Sequence, residues 1–176
     1  NHLLQLLGLT TMDPPVSLAA EDIRETKIRI LRCLEVVRWQ RMQYEGYREE
    51  EGVDPHSETE TFVEMELRIN NFRWAGMPVY LRTGKGLHRK GTEIGVTFKP
   101  LPKVLFNRDG ALSPNQIVIK IQPNEGIILN LATKEPGGGV MQISNTTMQF
   151  CYHDSFPGKI PAAYQRLLMD SLRGDK

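Results

Sequence analysis

The chain has 176 residues, 40% of them hydrophobic and 24% charged, which is the make-up of a globular domain with a core and excludes wholesale disorder. A formal net charge of +1 supplies no global basic field, so neither nucleic acid nor a membrane surface is expected as a partner, and any anion site must be local. The opening run to Gly8 lacks the basic flank of a signal peptide and the apolar length of a membrane span, so the default expectation is a cytoplasmic protein.

Leucines at positions 3, 4, 6, 7 and 9 predict a helix over residues 1–12 that is already under way at Asn1, as if the chain were cut from something longer. Asp13-Pro14-Pro15 should stop it, because proline lacks an amide donor and turns its predecessor away from helical angles. A second helix is predicted from about Ala20 to Glu35. Ile23, Lys27, Ile30, Leu31 and Leu34 recur there at helical spacing, Glu21 and Asp22 favour its N-terminal end, and its apolar stripe should pack on a sheet. Arg38 to Tyr47 reads as a strand, and the acidic run from Glu49 to Pro55 as a mobile surface loop.

Strict alternation then sets in. Val63, Met65, Leu67 and Ile69 fall on one face of a strand, with Glu64, Glu66 and Arg68 on the other. The same period recurs in Ile94-Val96-Phe98, Ile117-Ile119-Ile121, Ile127-Leu129-Leu131 and Met148-Phe150-Tyr152, and Val79 to Arg82 adds a further strand. Short linkers such as Pro123-Asn124-Glu125-Gly126 and Pro136-Gly137-Gly138-Gly139 favour hairpins. A last helix should start near Pro161, bury Tyr164, Leu167, Leu168 and Leu172, and end at Gly174. The predicted fold class is α+β, a large, mostly antiparallel β-sheet with helices packed on one face, in a single domain spanning 1–176 with no internal boundary.

Cys33 and Cys151 lie far apart without metal-ligand spacing and read as buried free thiols. No metal site is expected, and neither a dinucleotide fingerprint nor a Walker loop, a nucleophile elbow or a zinc motif occurs. Two stretches could carry chemistry. From Arg82 to Lys90, glycines that let backbone approach a ligand stand among cationic side chains that suit phosphate. By residue type alone this is either an anion site or a solvated basic loop. In Ile117 to Gln122, alternation sets Lys120 and Gln122 together opposite the isoleucines, either as a sugar-binding pair or as an ordinary outward-facing one. His2, among leucines, is a candidate general base or a packed terminal histidine.

Several blocks resemble glucose-6-phosphate dehydrogenases. Asn1-His2-Leu3-Leu4-Gln5 looks like the family's Asn-His-Leu-Leu-Gln, and Arg24 to Arg32 like its Arg-Asp-Glu-Lys-Val-x-Val-Leu helix. Thr59-Glu60-Thr61-Phe62-Val63, Asn71 to Pro78, Arg82-Thr83-Gly84-Lys85, Ile121 to Glu125 and Ala163 to Asp170 follow in family order over nearly the whole chain. The resemblance implies an oxidoreductase that converts glucose 6-phosphate to its lactone in the pentose phosphate pathway and passes hydride to NADP. It makes His2 the catalytic base and Lys85, Lys90 and Gln122 substrate contacts. It also implies that the nucleotide domain, the aspartate that orients the base and a phosphate-gripping His-Tyr-x-x-Lys cluster precede Asn1, so the isolated chain should be inactive and NADP bound mainly elsewhere. Arg82 and Lys120 match cationic positions of a second, structural NADP site found in some members, but Gly91 stands where those members carry lysine. The family's sheet also forms a subunit interface, so a homodimer is implied. The alternative is a non-catalytic sugar-phosphate-binding or assembly module derived from the same domain.

Overall fold

The computed structural model of the chain describes residues 2–104, 112–137, 141–156, 158 and 163–174, with residues 163 and 166 given by backbone alone. Two compact units, Asn1–His88 and Arg89–Lys176, divide it.

The first unit opens with α1 (His2–Thr11), as the leucine run predicts, and Asp13-Pro14-Pro15 follows as irregular chain. Helix α2 (Ala20–Leu31) ends before the expected Glu35, because Leu34 already pairs with Ile69 as the start of β1 (Leu34–Met42). Strand β1 therefore begins ahead of the predicted Arg38 and ends short of Tyr47. The adjacent β-branched Val36 and Val37 suit a pleated surface better than a helix. Helix α2 lies against α1 and not chiefly on a sheet: the Lys27 stem passes over Gly8, and its Nζ donates to Gln5 Oε1 at 2.8 Å. A short 3₁₀ turn (Tyr47–Glu49) and the acidic loop lead to β2 (Phe62–Ile69), and β3 (Pro78–Gly84) completes an antiparallel sheet of order β1-β2-β3.

Alternation along β2 decides this sheet's two faces. Leu67 and Ile69 are 2% and 1% exposed and form a core with Leu81 of β3 and Leu7 of α1. On the opposite face, Arg38 Nε donates to Glu66 Oε2 and Gln40 Nε2 to Glu64 Oε2, both at 2.8 Å, so the polar side chains pair across the strands. The block between β2 and β3 is tied to the end of α1, where Trp74 Nε1 donates to the Thr11 carbonyl at 2.8 Å and satisfies one of the acceptors that a helix C-terminus leaves open.

The second unit is an antiparallel sheet of order β4-β5-β6-β7, comprising β4 (Thr92–Thr97), β5 (Gln116–Gln122), β6 (Gly126–Lys134) and β7 (Ile143–Cys151). Every ladder in both units is antiparallel, and the expected strand content is thus resolved into two sheets among the described residues. Ladder register sets Ile94, Ile119, Ile127 and Phe150 in one row and Val96, Ile117, Leu129 and Met148 in the next, all on one face. The other face carries a polar chain across four strands. Thr147 Oγ1 donates to Asn130 Oδ1 at 3.0 Å, Asn130 Nδ2 to Gln116 Oε1 at 3.3 Å, and Gln116 Nε2 to Thr97 Oγ1 at 3.3 Å. At Gly126 a Cβ would stand 2.3 Å from the Phe150 carbonyl oxygen, so only glycine lets β6 start so close to β7.

Tyr152 leaves the strand expected for it and opens the short helix α3 (Tyr152–Ser155), and α4 (Ala163–Arg173) ends as expected at Gly174 with φ of 75°. The expected burial of the α4 stripe is not observed, since Tyr164, Leu167, Leu168 and Leu172 are all exposed. Helical spacing marks an apolar face but not what covers it. Pro161, Gly138 and Gly139, assigned above to a helix start and a turn, lie outside the described residues. Both cysteines are free, as expected, but half-buried instead of buried. No described helix is long and apolar enough to cross a membrane.

Candidate functional site

In the first unit, His2 is the exposed first residue of α1, the helix that packs on β3 through the Leu7–Leu81 core. Lys85 follows β3 directly and is also exposed. Its backbone is held more firmly than a basic loop requires, with Lys85 N–H donating to the Thr61 carbonyl at 2.8 Å. Glycines flank it. A Cβ on Gly84 would stand 2.8 Å from the Phe62 ring, and one on Gly86, where φ is +64°, 2.9 Å from Cγ of Tyr44. The turn thus rests on two aromatic rings and needs glycine at both flanks, once for space and once for space and conformation together.

Tyr44 is anchored at both ends. Its N–H donates to Thr61 Oγ1 at 2.9 Å and its hydroxyl to Glu50 Oε1 at 2.8 Å. The hydrogen bond to Glu50 holds the phenol above its ordinary value, and desolvation and the carboxylate's charge act in the same direction. Sequence reasoning placed Tyr44 only in a strand and Glu50 only in a loop, and gave Thr61 no role beyond a family block. The one local signal was Gly86, a glycine directly after a lysine at a turn, which asks what lies beneath it.

In the second unit, β4–β5 pairing brings Lys90 and Gln122 to one end of a ladder. Thr92 is the register partner of Gln122, whose Nε2 donates to Thr92 Oγ1 at 3.4 Å, and a Cβ on Gly91 would stand 3.5 Å from the Gln122 carbonyl. Lys90 and Gln122 are exposed and Lys120 half-buried, and Lys120 and Gln122 share the face opposite the isoleucines, as alternation requires. The Gln122–Pro123 peptide bond is cis.

Arg82 stands opposite Glu64 in β2, and Lys120 opposite Glu93 in β4. Each cation therefore has a carboxylate as its ladder neighbour, and the two belong to different units. Among the described residues no cluster of His, Cys, Asp and Glu could hold a metal ion. A groove on the first sheet is lined by Arg38, Trp39, Gln40, Glu64, Glu66 and Tyr80, none of which belongs to the lysine turn.

The two units, each built on one antiparallel sheet and the first with helix α1 packed against it, define an α+β protein. The family model described as glucose-6-phosphate dehydrogenase, C-terminal domain, matches residues 1–176, and the chain belongs to this family. The glucose-6-phosphate 1-dehydrogenase of Mycolicibacterium smegmatis is 41% identical, with 99% of this chain and 39% of that protein covered. The chloroplastic glucose-6-phosphate 1-dehydrogenase 1 of Arabidopsis thaliana is 38% identical over 100% of this chain and 33% of that protein. Among solved structures, glucose-6-phosphate 1-dehydrogenase from Mycobacterium avium superposes with a TM-score of 0.84 at 34% identity, covering 99% of this chain and 37% of that one. A glucose-6-phosphate dehydrogenase in complex with its substrate glucose-6-phosphate gives 0.83 at 33% identity, covering 99% and 38%. The chain thus spans about two fifths of the length of the relatives it matches.

Proposed function

We propose that this chain is the substrate-binding part of an NADP-dependent glucose-6-phosphate dehydrogenase that serves the pentose phosphate pathway. In this reading His2 takes the proton of the C1 hydroxyl while the C1–H bond breaks and its electron pair leaves as hydride, so that C1–O becomes the lactone carbonyl. The hydride acceptor is NADP, held mainly by sequence outside this chain. Lys85 and Lys90 bind the phosphorylated sugar, and Gln122 takes a hydroxyl with an amide that both donates and accepts. Support comes from the family match over the full chain, and above all from the β4–β5 register, in which Gln122 pairs with Thr92 at the strand end that Lys90 precedes. A relative of matching fold has been solved with glucose-6-phosphate as its substrate.

The reading also assigns a second copy of the chain to the apolar face of the second sheet, in keeping with the exposure of Met148, Phe150 and Ile127.

Lys85→Ala in the full-length protein tests the site. Loss of a charge-assisted contact should raise KM for glucose 6-phosphate about 10- to 100-fold, with the thermal midpoint nearly unchanged because the side chain is exposed. Unchanged KM and kcat would remove Lys85 from the site. The 176-residue chain alone should reduce no NADP when given glucose 6-phosphate, and turnover by a clean preparation would overturn the division of labour.

A further inference from the structure

Lysine is a flexible side chain, and a turn with glycine on both sides of it is the least constrained backbone that could carry it. A substrate contact built this way would lose much of its value to ordering unless something outside the turn fixed it. The first unit supplies that fixation. Thr61 donates its N–H to the Met42 carbonyl at 3.0 Å, accepts Lys85 N–H at its own carbonyl and accepts Tyr44 N–H at Oγ1, so one residue ties the lysine to the end of β1. Gly84 and Gly86 then lie on the Phe62 and Tyr44 rings so closely that neither could carry a Cβ without a shift. The Tyr44 ring cannot swing freely, because Glu50 takes its hydroxyl and Tyr47 packs edge-on at a centroid distance of 5.4 Å.

We propose that Tyr44 is the positioning residue of Lys85, its ring the platform on which Gly86 sets the lysine and Glu50 the clamp that holds the ring. The proposal rests on the substrate-binding role of Lys85 given above. Tyr44 touches no reacting atom in it and acts only through the turn.

The test uses the full-length dehydrogenase with Tyr44→Ala, Tyr44→Phe and Gly86→Ala, each alone and combined with Lys85→Ala. Tyr44→Ala should raise KM for glucose 6-phosphate about tenfold through misplacement of the lysine and leave KM for NADP unchanged. Tyr44→Phe keeps the ring beneath Gly86 but frees it from Glu50 and should recover only part of that loss. In the Lys85→Ala background, Tyr44→Ala should add less than about twofold, since residues that act through one contact are not additive. A full additional effect there, or an unchanged KM for Tyr44→Ala in the wild-type background, overturns the proposal. If Tyr44→Ala does not fold, Gly86→Ala approaches the same contact from the turn and should raise KM in the same way, and an unchanged KM for it is equally fatal. Lys85→Ala without effect on KM would sink the site reading and this proposal together, whereas a Lys85 effect with Tyr44 and Gly86 silent would sink the positioning role alone.

Discussion

The two units apply one pattern with different outcomes. Each has an antiparallel sheet with a polar face laced by cross-strand side chains and an apolar face set by strict alternation. In the first, α1 lies on the apolar face and Leu67, Ile69, Leu81 and Leu7 close into a core. In the second, Val96 remains 37% exposed, Phe150 38%, Ile127 39% and Met148 57%, and the buried hydrophobic side chains among the described residues all belong to the first unit. Alternation therefore specifies which side chains share a face, and the chain's own helices decide whether that face becomes an interior.

Substitutions can break this contrast. Leu67→Ala should destabilise the first unit by about 2–5 kcal/mol, the range for truncating a buried leucine, whereas Ile127→Ala in the second, made in a monomeric Phe150→Asp background where no second copy covers the face, should cost about 1 kcal/mol or less, because much of its side chain is then in water. Urea unfolding of both variants checks the pair, and equal losses would mean that the second sheet has a covered core after all. Next in size is Phe150→Asp. If a second copy covers the isoleucine face, the wild type should sediment as a dimer and the variant as a monomer with its circular dichroism retained. A wild-type monomer, or a variant that stays dimeric, removes that face from the interface.

The smallest effect concerns Tyr44. Its folded pKa is raised, so what the Glu50 bond contributes is present below the ordinary tyrosine pKa of about 10 and lost as pH rises through the folded value. The phenolate absorbance that distinguishes the wild type from Tyr44→Phe should titrate later than free tyrosine, and earlier in Glu50→Gln. Titration at the free value in both would show that the bond does not persist in solution.

Much of the fold could be read from residue order because period-2 alternation is a local signal, and β2 through β7 lie close to where Val63-Met65-Leu67-Ile69 and its counterparts put them. Partnering is not local. Nothing in the spacing of the isoleucines tells that β4 to β7 form a sheet of their own, or that Leu34 leaves the helical repeat to meet Ile69. The α4 leucines show the same limit, since their period is right and yet they are exposed among the described residues. At the site, the glycine-flanked Lys85 was visible as a motif and its family role as a resemblance. Tyr44, Thr61 and Glu50 were not, because they reach the turn only through tertiary contacts.

The Thr147–Asn130–Gln116–Thr97 chain has one more consequence. Because side chains alternate, a slip of one residue between β5 and β6 would set Asn130 across from Ile117 and strand its amide against hydrocarbon, while Leu131 came to face Gln116 in the polar row. Only one alignment satisfies both faces. During synthesis, when the isoleucine face is bare and could zip against any strand at hand, those amides and hydroxyls act as a proofreading key that accepts β4 to β7 in their own order and rejects near matches.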